Sequence, residues 1–184
     1  MTMTPLETPT GTPTPGRMRE AMGRFATGVT VVTGLDSGGP VGFTCQSFSS
    51  VSLDPPLVLF CADHRGSAWP RIRGAGRFCV NVLAEHQTEL CWRFGSRRGE
   101  RYEGLTWERS QWDTPALPGV LLRVHAGVET AHVSGDHDVV IGRVLELETD
   151  SEQRPLVFYR GNLQGDSRPD PSWIVDWRDG DRWG

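Results

Sequence analysis

Between Arg24 and Leu57 the chain reads RFATGVTVVTGLDSGGPVGFTCQSFSSVSLDPPL, and this stretch leaves few ways to fold. Val29 to Thr33 is β-branched throughout, which suits a strand. Asp36-Ser37-Gly38-Gly39 is turn chemistry, so Val41 onward returns as a hairpin partner. Thr44-Cys45-Gln46-Ser47-Phe48-Ser49-Ser50-Val51-Ser52 then packs small hydroxyl residues at high density. Asp54-Pro55-Pro56 fixes a corner, because two prolines cannot join a hydrogen-bonded ladder. Small polar side chains beside an accessible backbone suit a groove that grips a flat, polar ligand. An ordinary polar strand and turn would read the same way.

The rest of the chain continues in short strands. Leu57-Val58-Leu59-Phe60-Cys61-Ala62 is an uninterrupted apolar run, as expected of a strand buried on both faces. Arg77 to Leu83 is another strand. Val120 to Val133 and Val139 to Glu148 are two more, joined tightly by Gly135-Asp136-His137-Asp138. Leu156 to Tyr159 is the last. Helices are fewer. Met18, Ala21, Met22 and Phe25 fall on one stripe and predict a helix from about Arg17 to Ala26, with Phe25 as a core residue. Ser67 is placed to cap a short helix that Gly74-Ala75-Gly76 closes. Glu85 to Phe94 suits a third. Ser96 to Gly119, rich in Gly, Arg and Trp, reads as a long surface excursion. Roughly six or seven strands and about three helices, without regular alternation, predict a mainly β chain. The best fit is an antiparallel, Greek-key-like barrel with peripheral helices.

Composition narrows the chemistry. The chain has 184 residues, enough for one domain with a sizeable core. Its first 16 residues are Thr/Pro-rich and predict a disordered tail; 17–165 would be the domain and 166–184 an extension. The net charge of −4 argues against a nucleic-acid binder. No apolar run approaches the ~20 residues of a membrane helix, and no signal peptide is legible, so a cytoplasmic protein is expected. All 19 basic residues are Arg, which removes Schiff-base and P-loop lysine chemistry. Cys45, Cys61, Cys79 and Cys91 lack CxxC spacing and are expected as reduced thiols, with Cys61 and Cys79 in apolar runs that suit the core. No Gly-x-Gly-x-x-Gly is present, so a Rossmann dinucleotide site is not expected. His64, His86, His125 and His132 show no metal-like spacing, and no metal is expected.

Five stretches in register resemble the short-chain flavin reductases, the reductase partners of two-component flavin monooxygenases. They are RFATGVTVVT (24–33), GFTCQSFSSVSLDPPLV (42–58), GRFCVNVLAEHQTEL (76–90), GDHDVVIGRV (135–144) and PLVFYRGNL (155–163). The resemblance implies an FMN-binding split barrel, an obligate homodimer and NAD(P)H-dependent reduction of FAD or FMN that is then released to a monooxygenase. Hydride transfer between two flat cofactors needs positioning rather than a nucleophile.

The same resemblance assigns residues. Thr44, Cys45, Gln46 and Ser47, with Ser50 and Ser52 nearby, would bond the pyrimidine edge of the flavin; Cys45-Gln46 stands where the family usually has Ala-Asn. Thr27 and Gly28 approach the flavin, and Cys61 and Ala62 join them. Ser67, at a helix N-terminus near Arg65, suits a phosphate. Trp69 replaces a family Thr; it would either stack on an adenine, favouring FAD, or simply pack. His137 would line the nicotinamide side, or be a surface residue of a turn. Tyr159 and Gly161 belong to a motif near the nicotinamide dinucleotide. Arg93, Arg97, Arg98 and Arg101 form a basic cluster, best read as solvated surface. With no Lys to meet a 2′-phosphate, NADH is favoured over NADPH. Two alternatives stand beside this reading: a split-barrel flavin oxidase with tightly bound FMN, and a non-catalytic flavin- or haem-binding module.

Overall fold

The structure is a computed structural model describing residues 11–96, 101–149 and 152–164. Its elements, in order, are α1 (Pro15–Met22), β1 (Thr27–Gly28), β2 (Thr30–Asp36), β3 (Gly39–Cys45), β4 (Ser49–Leu53) and β5 (Pro56–Asp63). Then come α2 (Ala68–Ala75), β6 (Arg77–Val82), α3 (Thr88–Gly95), β7 (Glu108–Arg109) and β8 (Pro115–Ala116). The last are β9 (Leu122–Ser134), β10 (His137–Thr149), β11 (Val157–Tyr159) and β12 (Asn162–Gln164).

Seven strands form one antiparallel sheet in the order β3-β2-β6-β9-β10-β5-β4. The β9–β10 hairpin is inserted between β6 and β5, so the hairpins β2–β3 and β4–β5 lie at opposite edges. Curling brings those edges together: the amide of Cys61 on β5 donates to Ser47 Oγ, just past β3, at 2.8 Å. This is the expected split barrel. A small sheet, β1-β11-β12, and the β7-β8 hairpin sit outside it.

Two cores follow from the two faces of the sheet. Inside, Phe43, Phe60 and Phe78 pack with Val32, Val80, Val124 and Val140, and α2 seals them with Ala68, Trp69 and Ile72. On the other face, α3 supplies Cys91 and Phe94 against Val29, Val31, Leu83, Leu117 and Leu156. The excursion after α3 is pinned by buried polar bonds. Thr33 Oγ1 donates to the Pro115 carbonyl at 2.5 Å, and Leu117 N donates to Asn81 Oδ1 at 2.9 Å.

Some expectations need correction. α1 starts at Pro15, capped by Thr14 Oγ1, and ends at Met22; Phe25 lies beyond it and is 68% exposed rather than in the core. β5 is buried on one face only, because Val58, Phe60 and Ala62 point inward while Leu57, Leu59 and Cys61 are half-buried on the other side. The β9–β10 turn is just Gly135-Asp136, with Gly135 at φ +68°; His137 and Asp138 already pair in the ladder. The tail expected over 1–16 lies mostly, and the extension 166–184 wholly, outside the described residues. Among the described residues no helix is long and apolar enough to cross a membrane.

One glycine marks how tightly the barrel is filled. A Cβ at Gly142 would meet Phe78 Cζ at 2.3 Å, and Phe78 is itself fully buried. Gly142→Ala is therefore expected to cost about 1–3 kcal/mol by overpacking, read as a shift in urea midpoint at unchanged slope. A neutral result would mean that the Phe78 ring yields freely.

Candidate active-site groove

A cavity of about 180 Å³ opens where the barrel edges meet, lined by Phe43, Thr44, Cys45, Gln46, Ser47, Cys61, Asp63 and His137. Three segments build it: the end of β3 with the turn after it, the end of β5, and the start of β10. Register explains the meeting, since His137 pairs with Asp63 across β10 and β5.

The structure thus brings together Thr44, Cys45, Gln46, Ser47, Cys61 and His137 from the residues singled out by sequence. Their side chains do different things. Thr44 Oγ1 donates to the Cys91 carbonyl at 2.6 Å, so this hydroxyl secures α3 and leaves only the Thr44 backbone for the groove. Cys45 is buried, and burial pushes its thiol pKa up. Ser47 Oγ accepts from Cys61 N and stands 3.2 Å from Cys45 Sγ. Gln46 is the open one: its Nε2 is buried with no hydrogen-bond partner. A buried amide donor without an acceptor costs free energy, so its position fits a ligand that brings a carbonyl or ring nitrogen.

His137 is half-exposed, and its Nδ1 lies 2.7 Å from Asp136 Oδ1. Asp63 faces it from β5. Burial works against ionisation of Asp63, yet hydrogen bonds from Arg65, the shortest 2.7 Å, outweigh burial and hold its carboxyl below the usual range. Sequence reasoning missed Asp63. The signal was available, because a carboxylate ends an apolar strand run there and an Arg follows two positions on.

The segment from His64 to Ser67 is held by a second buried carboxylate, Asp138. It takes His64 Nε2 at 2.9 Å, Trp69 Nε1 at 2.8 Å and, more weakly, Arg73 at 3.5 Å. The bonds from Trp69 and then His64 hold its pKa down. This anchoring corrects the stacking idea for Trp69: the ring is 3% exposed, edge-on to Phe60, and offers no face to an adenine. Ser67 is exposed at the N-terminus of α2 and makes no side-chain cap bond.

Other expected residues lie apart from the groove lining. The side chain of Ala62 points into the core, as the alternation along β5 requires, so at most its backbone faces a ligand. Ser50 and Ser52 lie on the edge strand β4. Thr27, Gly28 and Tyr159 belong to the small outer sheet, and Gly161 to the turn between β11 and β12. Thr27 Oγ1 is a second buried polar atom without a partner. The basic cluster is not a solvated patch where it is described. Arg93 donates to the Glu103 carbonyl at 2.6 Å, and Arg101, half-buried, donates to Ser96 and Gly42 carbonyls. Both brace the excursion; Arg97 and Arg98 lie outside the described residues.

Among the described residues one His/Glu group, His125 with Glu146 and Glu148, comes within ligand distance of itself. Within it His125 Nδ1 meets Thr114 and His125 Nε2 meets Glu148, while Arg123 donates to Glu148 and both Gln111 and Trp112 donate to Glu146 Oε2.

Comparison with known proteins gives this groove a context. A family model described as the flavin reductase like domain matches residues 22–166. The reductase subunit HsaB of a flavin-dependent monooxygenase from Rhodococcus jostii is 47% identical over 165 residues, covering 90% of this chain and 84% of that protein. The crystal structure of nitrilotriacetate monooxygenase component B from Mycobacterium thermoresistibile superposes with a TM-score of 0.77 at 42% identity, over 87% of this chain and 92% of that one. The NADH:FAD oxidoreductase SgcE6 of Streptomyces globisporus, solved with NAD and FAD fragments, gives 0.77 at 29% identity, over 84% and 93%.

Proposed function

The chain belongs to the flavin reductase family, and we infer that the groove closed by β3, β5 and β10 is where it works on its flavin. The protein is an NAD(P)H-dependent flavin reductase that supplies reduced flavin to a partner monooxygenase. The observation that carries the groove assignment is the orphaned, buried amide of Gln46 beside Ser47 and Cys45. The flavin–nicotinamide pair supplies the hydride transfer itself.

The chain's part is to hold and to align. Gln46 Nε2 donates to the pyrimidine edge of the flavin, and backbone groups of Thr44 to Ser47 complete the contact. Gln is longer than the usual family Asn, and here its amide is tucked inside rather than extended. Ser67 and the first turn of α2 take the phosphate end, with Asp138 fixing that turn. His137, oriented by Asp136, stands on the nicotinamide side as the catalytic residue, with Asp63 opposite. Thr27 and Gly28 border the flavin, and Tyr159 and Gly161 the dinucleotide. Residues 17–165 form the reductase domain.

FAD is the proposed flavin, on the likeness to the Streptomyces enzyme solved with FAD and NAD fragments. NADH is the proposed donor, because a chain with no Lys has only Arg for a 2′-phosphate. The working form is a homodimer; the apolar stripe of α1, with Met18 and Met22 each 53% exposed, supports a covered surface there.

The deciding experiment mixes the protein with NADH or NADPH and free FAD or FMN and follows loss of reduced nicotinamide. Turnover with FAD and NADH is expected; no turnover with any pair overturns the reading. Yellow colour surviving desalting would favour the tightly bound flavin oxidase. Gln46→Ala is expected to raise the flavin KM about 3–10-fold, the worth of one hydrogen bond, with kcat little changed. An unchanged KM would place the amide away from the ligand.

A further inference from the structure

Two of the four cysteines line the groove together. They come from different strands, Cys45 at the end of β3 and Cys61 near the end of β5, and one hydroxyl joins them. Ser47 Oγ lies 3.2 Å from Cys45 Sγ, accepts from Cys61 N at 2.8 Å and approaches the Cys61 carbonyl at 3.4 Å. Cys45 Sγ itself reaches to 4.0 Å from that carbonyl. The sulfur of one cysteine therefore lies against the main chain of the other, across the gap between the ends of β3 and β5. Their environments differ. Cys61 is half-exposed on the groove side of β5, while Cys45 is buried and held as a thiol. Cys79 and Cys91 are fully buried elsewhere.

We propose that Cys61 and Cys45 are a peroxide-responsive thiol pair, an oxidation site that closes the flavin groove when reduced flavin is wasted on oxygen. This rests on the reading that the groove receives flavin. The oxidant is hydrogen peroxide, which forms wherever released reduced flavin meets dioxygen. The Cys61 sulfur, as thiolate, attacks one peroxide oxygen. The O–O bond breaks, hydroxide leaves and takes up a proton as water, and Cys61 becomes a sulfenic acid. The Cys45 sulfur then attacks the sulfenic sulfur; its proton leaves with the sulfenic hydroxyl as water, and the S–S bond closes. Peroxide is reduced to water, and the two thiols lose two electrons. Drawing Cys45 and Cys61 together pulls Ser47 from its bond to Cys61 N and reshapes the wall that carries Gln46. The switch is reversible by a dithiol.

The sequence makes the test simple, because trypsin releases Phe25–Arg65 as one peptide holding both cysteines and no other. The full chain is exposed to hydrogen peroxide without flavin or nicotinamide, alkylated and digested. The expected result is loss of two hydrogens on that peptide, reversed by dithiothreitol, with Cys79 and Cys91 still alkylated. In Cys45→Ser, a dimedone tag is expected on Cys61, and added flavin is expected to slow it. Turnover, scaled to each variant's own untreated rate, should fall with peroxide in the parent and recover with dithiol, while Cys61→Ser resists. An unmodified Phe25–Arg65 peptide, or equal loss of turnover in Cys61→Ser, overturns the proposal. The mass readout uses no cofactor, so it judges the thiol pair separately. Failure of the flavin reading shows instead as absent turnover before any peroxide is added.

Discussion

Phe60→Ala is expected to cost about 3–5 kcal/mol of unfolding free energy, the range for removing a buried aromatic ring. Phe60 is fully buried at the centre of the barrel interior. Its ring meets Phe78 at 5.1 Å, Trp69 at 5.7 Å and Phe43 at 5.9 Å, the first two edge-on. These partners come from β6, α2 and β3, so no single element can slide in to fill the void. For a chain of this length that cost corresponds to a fall in Tm of about 6–20 °C. Urea melts at one fixed protein concentration check it, since self-association would otherwise move the midpoint. A loss below about 1 kcal/mol would mean that the interior collapses around the gap and is not close-packed there.

Asp138→Asn is expected to raise the flavin KM about tenfold or more with a smaller change in kcat, because it loosens the start of α2 rather than touching the reacting atoms. An amide in place of the carboxylate keeps the shape but loses the charge. One of its ends can only donate, and that end would face either the Trp69 indole N–H or His64. Asp138→Glu restores the charge and should recover part of the affinity. Equal loss of kcat and affinity, or none, would separate this carboxylate from the proposed phosphate end of the groove. The same residue sets a pH limit. Its folded pKa is depressed, so the stability it lends is fully present above the unfolded value, about 3.9, and is lost as pH falls through the folded value. Asp36 behaves alike, held at about 2 by hydrogen bonds from Arg71. Acid unfolding should therefore begin below about pH 4, and in Asp138→Asn the midpoint should move less with acid than in the parent.

Much of the site was legible because its pieces are contiguous. Thr44, Cys45, Gln46 and Ser47 follow one another out of β3, so reading the run found the wall of the groove. Asp63 and Asp138 were harder. Each sits next to a residue that was noticed, Ala62 and His137, but each acts through partners that are distant in sequence or set by a turn: Arg65 and His137 for the first, His64, Trp69 and Arg73 for the second. The identity of a residue says what bonds it can make, and only the closed barrel says with whom.

Local chemistry was enough for the strand runs, the antiparallel class and the neighbourhood of the turns at 36–39, 54–56 and 135–138, since β-branching, glycine and proline act within a few residues; pairing then drew Gly39, Pro56, His137 and Asp138 into the ladders, leaving Ser37-Gly38, Asp54-Pro55 and Gly135-Asp136 as the turns. Which row of each strand faces inward was decided by tertiary structure. Along β10 the pattern sets Glu146 and Glu148 against Leu145 and Leu147, and burial by the hydrophobic effect alone would turn the leucines in. Instead a register shift between Val144 and Glu146 turns the glutamates toward Trp112, Gln111, Arg123 and His125, and Leu147 stays 61% exposed. The same kind of choice sent the Thr44 hydroxyl to α3 and the Trp69 ring into the core, and left the Gln46 amide nitrogen buried without a partner. A period of two fixes that neighbours point opposite ways; the partners brought by distant segments determine which way is in.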